Sequence, residues 1–205
     1  MLFRSNDFLN IGLAYGENVP ARTSQGNLWQ AYYAANSGNA FASGLDHKHA
    51  DCNGDGTINL DDTLAVVQNS GNLPHVYAYR HEQQNVNNDR NAPMLYVVAT
   101  PDTCGVHHNI HLDIYLGDAN TPANNIYGVS FRLAYSPVNA IHVGSLTSSI
   151  PNSFMGTVNT TMLGGRIYHP INPYIDFGII GIDHIDRSGF GPICTADVVT
   201  EDNLS

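Results

Sequence analysis

The sequence predicts a chain of mixed fold class, with a small α module over residues 1–80 and an all-β antiparallel sandwich over residues 92–205, joined by a linker at 81–91. Three observations predict it. From Asn6 to Gly71, short helical patterns are separated by polar, Gly-containing connections, whereas from Met94 onward apolar residues recur with the period of two that strands show. Between these parts Gln83, Gln84, Asn85, Asn87, Asn88 and Asn91 crowd together with almost no apolar residue, a linker composition. The 42% hydrophobic content of the 205 residues is enough to give each part a core.

In the first part the chemistry concentrates in residues 51 to 62, the run Asp51-Cys52-Asn53-Gly54-Asp55-Gly56-Thr57-Ile58-Asn59-Leu60-Asp61-Asp62. Read as an EF-hand-type loop, it puts Asp51, Asn53 and Asp55 at positions 1, 3 and 5, where side-chain oxygens converge on one side of a tight turn. Calcium is a hard cation that takes six to eight oxygens, and this spacing begins to supply them. Gly56 stands where the backbone turns sharply. Thr57 offers its carbonyl, and Asn59 coordinates directly or through a water. Asp62 closes the shell as it opens a helix, its carboxylate near the positive helix N-terminus. Apolar Ile58 is expected to pair its backbone with a second loop and to pack its side chain beneath the ion. Mg²⁺ fits less well, because its small octahedral shell is more demanding.

The helix after this loop has an echo upstream: Asp7, Leu9, Ile11 and Gly16 match Asp62, Leu64, Val66 and Gly71 at a constant offset of 55 residues. That predicts an internal duplication, with Asp7 as the last position of an earlier loop and residues 8–15 as its helix. Leu2-Phe3-Arg4-Ser5 is what one frame of a common sequencing adaptor encodes, so the reading frame is expected to begin inside a truncated metagenomic fragment. The first loop is then missing, Ile58 faces an absent strand, and calcium affinity is expected to be weakened. Residues 17–49 form an insert with Trp29, Tyr32, Tyr33 and Phe41, either a small core on the helices or an exposed binding face.

In the second part, Met94 to Thr100 is a short apolar run, and Ile110, Leu112, Ile114 and Leu116 alternate with His111, Asp113 and Tyr115. Val129, Phe131, Leu133 and Tyr135 do the same until Pro137 stops the strand. Further strands are predicted at residues 174–182 and 193–199, with a Gly-rich turn at 188–191 between them. Short strands, Gly, Asn and Pro turns and no convincing helix indicate an antiparallel sandwich, whose last strands are expected beyond Ser205.

Composition removes several function classes. Acidic residues outnumber basic ones 18 to 8, the formal charge is −10, and Lys48 is the only lysine, so the basic stripe that nucleic-acid binding needs is missing. No stretch approaches the roughly 18 apolar residues of a membrane span. Abundant Asn, Gly, Ser and Thr point to a secreted protein, extracellular or on the cell surface, with the absent signal peptide put down to truncation. Cys52, Cys104 and Cys194 include no zinc-type pair; a Cys104–Cys194 disulfide is open, with Cys52 free.

An enzyme would have to use the histidines or stray carboxylates. His107 and His111 could share a face with His142 or His184 as a metal site, or be exposed positions of a half-buried strand. Asp176 and Asp183 have no identifiable acid partner, and no nucleophile elbow, phosphate loop or His-Glu-x-x-His helix is present.

The loop, with Asp rather than Glu at its last position and no helix over residues 44–50 leading into it, resembles those of the dockerin family, whose modules carry two calcium loops each followed by a helix. The likeness covers residues 6–75; the absent first loop and the long insert depart from it. Residues 126–137, Ile-Tyr-Gly-Val-Ser-Phe-Arg-Leu-Ala-Tyr-Ser-Pro, and 189–193, Gly-Phe-Gly-Pro-Ile, resemble segments of a cohesin-type sandwich, a fold also similar to carbohydrate-binding domains. The resemblance implies a non-catalytic module that attaches proteins to scaffolds through a cohesin or dockerin partner, with Ca²⁺ held by Asp51, Asn53, Asp55, Thr57, Asn59 and Asp62. The alternative is a polysaccharide-binding accessory module, favoured if Tyr115, Tyr127, Tyr168 and Tyr174 form an exposed row.

Overall fold

The computed structural model describes residues 5–28, 30–69, 92–135, 140–142, 144–169 and 174–201. Trp29, Gly71, the linker 81–91 and Pro137 lie outside the described residues. The first part contains α1 (Ser5–Leu13), a single 3₁₀ turn at His47–His49 and α2 (Asp62–Asn69). The second contains β1 (Leu95–Thr100), β2 (Asn109–Leu116), β3 (Ala123–Ile126), β4 (Gly128–Ala134), β5 (Thr147–Ser149), β6 (Met162–His169), β7 (Tyr174–Gly181), β8 (Arg187–Gly189) and β9 (Gly191–Val199).

Every ladder between these strands is antiparallel. They form a four-stranded sheet in the order β1-β2-β9-β5, a three-stranded sheet β4-β7-β6 and a small ribbon β3-β8. The two larger sheets face each other across a common interior. Ile114 of β2, with Cys194 and Ala196 of β9, packs against Ile175 and Phe177 of β7. Toward the other end Leu116 and Ile193 meet Met162 and Ile179. This is an antiparallel β-sandwich, and the alternation of β2, β4 and β9 selects its inner faces.

β7 breaks the simple alternation: after half-buried Tyr174, all of its residues are buried, on both faces. The cause is α1, which lies on the outer face of the three-stranded sheet. Phe8, Ile11, Ala14, Ile58 and Val66 from the helical part share one apolar cluster with Leu163, Ile167, Ile180 and Ile182 from the sandwich. Burial of each large member contributes about 1.5–3 kcal/mol. Two glycines make the approach possible. A Cβ on Gly165 of β6 would stand 2.1 Å from the Phe8 ring, and one on Gly12 of α1 would stand 2.3 Å from Ile180. The apolar cores of the two sequence segments thus merge.

Two details differ from the sequence reading, and one question that it leaves open is answered. β1 lacks the buried face that its apolar run predicts: Leu95 and Val97 share the inner face of their partners Leu116 and Ile114 yet remain 42% and 45% exposed. β1 is the edge of a four-stranded sheet opposite one of only three strands, and the core clusters draw on its neighbours instead. The Gly-rich stretch at 188–191 is not a free turn, because β8 pairs with β3 before β9 begins. The Cys104–Cys194 disulfide does not form, since Cys194 is buried in the interior and Cys104 is exposed.

Candidate functional site: the loop at residues 51–62

The loop closes on itself through its own polar side chains. Asp51 accepts the N–H of Gly54 at 2.7 Å and of Gly56 at 3.1 Å, one on each carboxylate oxygen. Asn53 accepts from the Asp55 N–H at 2.9 Å, Asp55 from Thr57 at 2.8 Å, and Asn59 from Asp61 at 2.7 Å. Gly54 and Gly56 have φ of 81° and 94°, the left-handed region that glycine enters without strain. Asp62, the first residue of α2, folds back over the loop and accepts from Cys52 at 2.6 Å, Asn53 at 3.1 Å and Asn59 at 2.8 Å. All six residues singled out by spacing thus lie on one compact turn.

Its electrostatics are those of two desolvated carboxylates. Asp51 is 4% exposed and Asp62 fully buried, whereas Asp55 is exposed. Burial raises the pKa of Asp51, against the pull of the Gly54 and Gly56 N–H groups. Burial also pushes Asp62 up to about 6, with the nearby Asp51 charge adding to the rise. A dication would relieve both. The donor set is all oxygen, the chemistry of a hard cation rather than of zinc or copper. Among the described residues, no three His, Cys, Asp or Glu side chains are gathered as metal ligands. In this conformation the loop carboxylates turn onto backbone N–H groups, and the remaining ligands would be the amides of Asn53 and Asn59 and the Thr57 carbonyl.

Ile58 does not face an absent strand. Its N–H donates to the Glu17 carbonyl at 3.0 Å, its carbonyl accepts the Gly16 N–H at 2.8 Å, and its side chain is fully buried. The pairing continues with Val19 N–H to Gly56 O at 2.9 Å, Arg22 N–H to Gly54 O at 2.9 Å and Gly26 N–H to Asn53 O at 2.7 Å. Residues 16–26, leaving α1, therefore line the loop on the side where a second loop was expected.

This strap brings in a residue that sequence reasoning missed. Arg22 donates from Nη2 to the Cys52 carbonyl at 2.8 Å, and its guanidinium lies 4.3 Å from the centre of the Tyr32 ring. A Cβ on Gly54 would stand 1.8 Å from its Nε, so the cation rests directly on the loop. Arg22, Tyr32, Tyr33, Lys48, His49 and Asp51 border a cleft of about 640 Å³ beside it. The insert aromatics are divided: Phe41 packs against the shared core, whereas Tyr33 is 90% exposed. Nothing in the local pattern of residues 17–49 marks Arg22, because the loop carbonyl it bonds is 30 residues away.

The other candidates are dispersed. His111 bonds Asp197 at 2.7 Å on the outer face of β2 and β9, and His142 pairs with Glu201. His107 sits in the turn before β2, and His184 bridges the Tyr127 hydroxyl at 3.1 Å and the Tyr15 carbonyl at 3.2 Å. Asp176 makes a two-pronged bond to Arg132 at 2.7 and 3.0 Å, and Asp183 pairs with Arg187. The four tyrosines form no row. Tyr115 stacks on Tyr96, Tyr127 on His184, Tyr168 bonds Ser148, and Tyr174 lies under Arg132.

No family model matches the chain, and no curated protein matches it. Among solved structures, the chain is similar to type II cohesin A11 from Bacteroides cellulosolvens, with 9% identity, a TM-score of 0.38, and coverage of 54% of this chain and 71% of that one. It is also similar to a type II cohesin–X-dockerin complex from Acetivibrio cellulolyticus bearing a mutant N-terminal interface, with 8% identity, a TM-score of 0.35, and coverage of 54% and 73%. The assignment of a sandwich rests on the strand pairing described above.

Proposed function

We propose that the chain is a non-catalytic extracellular module that takes one Ca²⁺ in the loop at residues 51–62 and serves to attach or assemble proteins. The carrying observation is the loop itself: two carboxylates of its motif, Asp51 and Asp62, are buried without losing the turn that their spacing requires. Burial of carboxylates is costly unless they are compensated, and a dication is the compensation this all-oxygen set suits. The non-catalytic part is supported by the engagement of Asp176, Asp183, His111 and His142 in separate ion pairs.

A protein of cohesin or dockerin kind is the proposed partner, on the resemblance of the loop and of the sandwich segments. A polysaccharide partner would need a flat aromatic row, and the four tyrosines are scattered. No described helix is long and apolar enough to cross a membrane.

The test is thermal unfolding in excess Ca²⁺ and in chelator, followed by surface binding to purified cohesin and dockerin modules and to insoluble cellulose. Free calcium at a hundred times its Kd adds about 2.7 kcal/mol of stability, so the melting temperature should rise clearly. An identical melting temperature in both conditions contradicts the calcium reading. Retention on cellulose alone would replace the protein partner by a sugar.

A further inference from the structure

Arg22 is a fixed cation laid against a loop that is proposed to take a cation. Its guanidinium is positioned from four directions: the backbone pairing of Arg22 with Gly54, the Nη2 bond to the Cys52 carbonyl, the Tyr32 ring at 4.3 Å, and the absence of a side chain on Gly54. Its Nε is buried with no hydrogen-bond partner. A buried orphan donor is tolerated only where something offsets its cost, and here the guanidinium lies on the Cys52 carbonyl, next in the chain to buried Asp51, and over Gly54.

We infer that Arg22 is the resident counter-charge of the calcium loop: it balances Asp51 while the loop is empty, and by repelling the incoming dication it sets the affinity of the site. The inference rests on the calcium reading above and assigns a residue that the twelve-residue motif does not contain. Its logic is electrostatic. The loop buries Asp51 and Asp62 together, and a fixed cation beside them offsets their charge from outside the ligand set. A cation fixed beside a metal site opposes the metal, whereas a brace that only shapes the site favours it. Removal of the charge therefore separates these two roles by sign.

The experiment is calorimetric titration of the full chain with Ca²⁺, together with thermal unfolding in chelator, for wild type, R22M and R22K. Methionine keeps an apolar stem over Tyr32 and removes the charge; lysine keeps the charge and loses the planar fork. R22M should bind calcium at least about fivefold more tightly than wild type, which is the repulsion between a dication and a unit charge roughly 8 Å apart even at the dielectric constant of water, and should melt earlier without metal. R22K should stay within about twofold of wild-type affinity, because the charge is retained. Equal or weaker binding by R22M, or tightening by R22K to the same degree, overturns the inference, since shape rather than charge would then be what Arg22 supplies. An unchanged metal-free melting temperature for R22M overturns it as well. Should R22M fail to fold without metal, R22Q, which keeps donors for the Cys52 carbonyl, must show the same tightening. Absence of binding in all variants would fell the calcium reading itself, whereas binding of equal strength in all of them fells only the role of Arg22.

Discussion

The Phe8 ring of α1 occupies the space that a side chain on Gly165 of β6 would need, with a Cβ at that position 2.1 Å from the ring. An aromatic from the helical segment thus fills a gap that the sandwich leaves open. Gly165→Ala should destabilise the chain by about 1–3 kcal/mol through overpacking. Denaturant unfolding of the variant beside wild type measures it. A loss below about 0.5 kcal/mol, the range of a neutral surface change, would mean that Phe8 does not rest there.

Ile58 belongs to the same cluster from the loop side and is fully buried among residues of both parts. Ile58→Ala should cost about 2–5 kcal/mol. Because the cluster spans both parts, that cost should lower a single unfolding transition, seen at one midpoint by far- and near-ultraviolet circular dichroism. Two transitions, with only the first displaced, would show that the parts unfold independently.

The three thiols should react unequally. Burial pushes Cys194 up to about 12 and raises Cys52 well above the ordinary thiol range, whereas Cys104 is exposed. Iodoacetamide applied to the native chain at pH 8 should alkylate Cys104 alone, and peptide mass mapping reads the result. Modification of Cys194 at a comparable rate would contradict its place in the sandwich interior.

The strap carries a pH dependence of its own. Glu17 bonds His47 at 2.7 Å, and this bond holds its carboxyl below the ordinary value of 4.5. The ionised form is thus favoured in the fold, so the contribution is complete above about pH 4.5 and is lost as acid protonates Glu17 through its lower folded pKa. Glu17→Gln should cost about 0.5–1.5 kcal/mol at pH 6. The gap between variant and wild type should shrink at pH 3.5, in paired urea titrations. A gap that widens in acid would reverse the sign argued here.

The legible features were those set by local pattern. The Asp, Asn and Gly spacing located the loop and the start of α2 at Asp62, alternation located β2 and β4, and the Gly-rich stretch at 188–191 separated β7 from β9. β6 went unread because Gly164 and Gly165 look like strand breakers. In the fold Gly165 exists to admit Phe8, and Gly164 lies against Ile150. β3 and β5 are too short, at four and three residues, for a period to register. The strap of residues 16–26 and Arg22 escaped for a different reason: their partners are backbone groups of the loop, which leave no trace in side-chain pattern. Burial of β7 on both faces likewise depends on α1, more than 160 residues away.

The central claim is that residues 51–62 hold a calcium ion. Calorimetric titration of the full chain with Ca²⁺, beside the Asp51→Ala/Asp55→Ala double variant, tests it most directly. The account predicts saturable binding of one ion by wild type and none by the variant. Equal heats from the two proteins, or no binding by a wild-type chain that is folded, would contradict it and leave the loop a solvated turn.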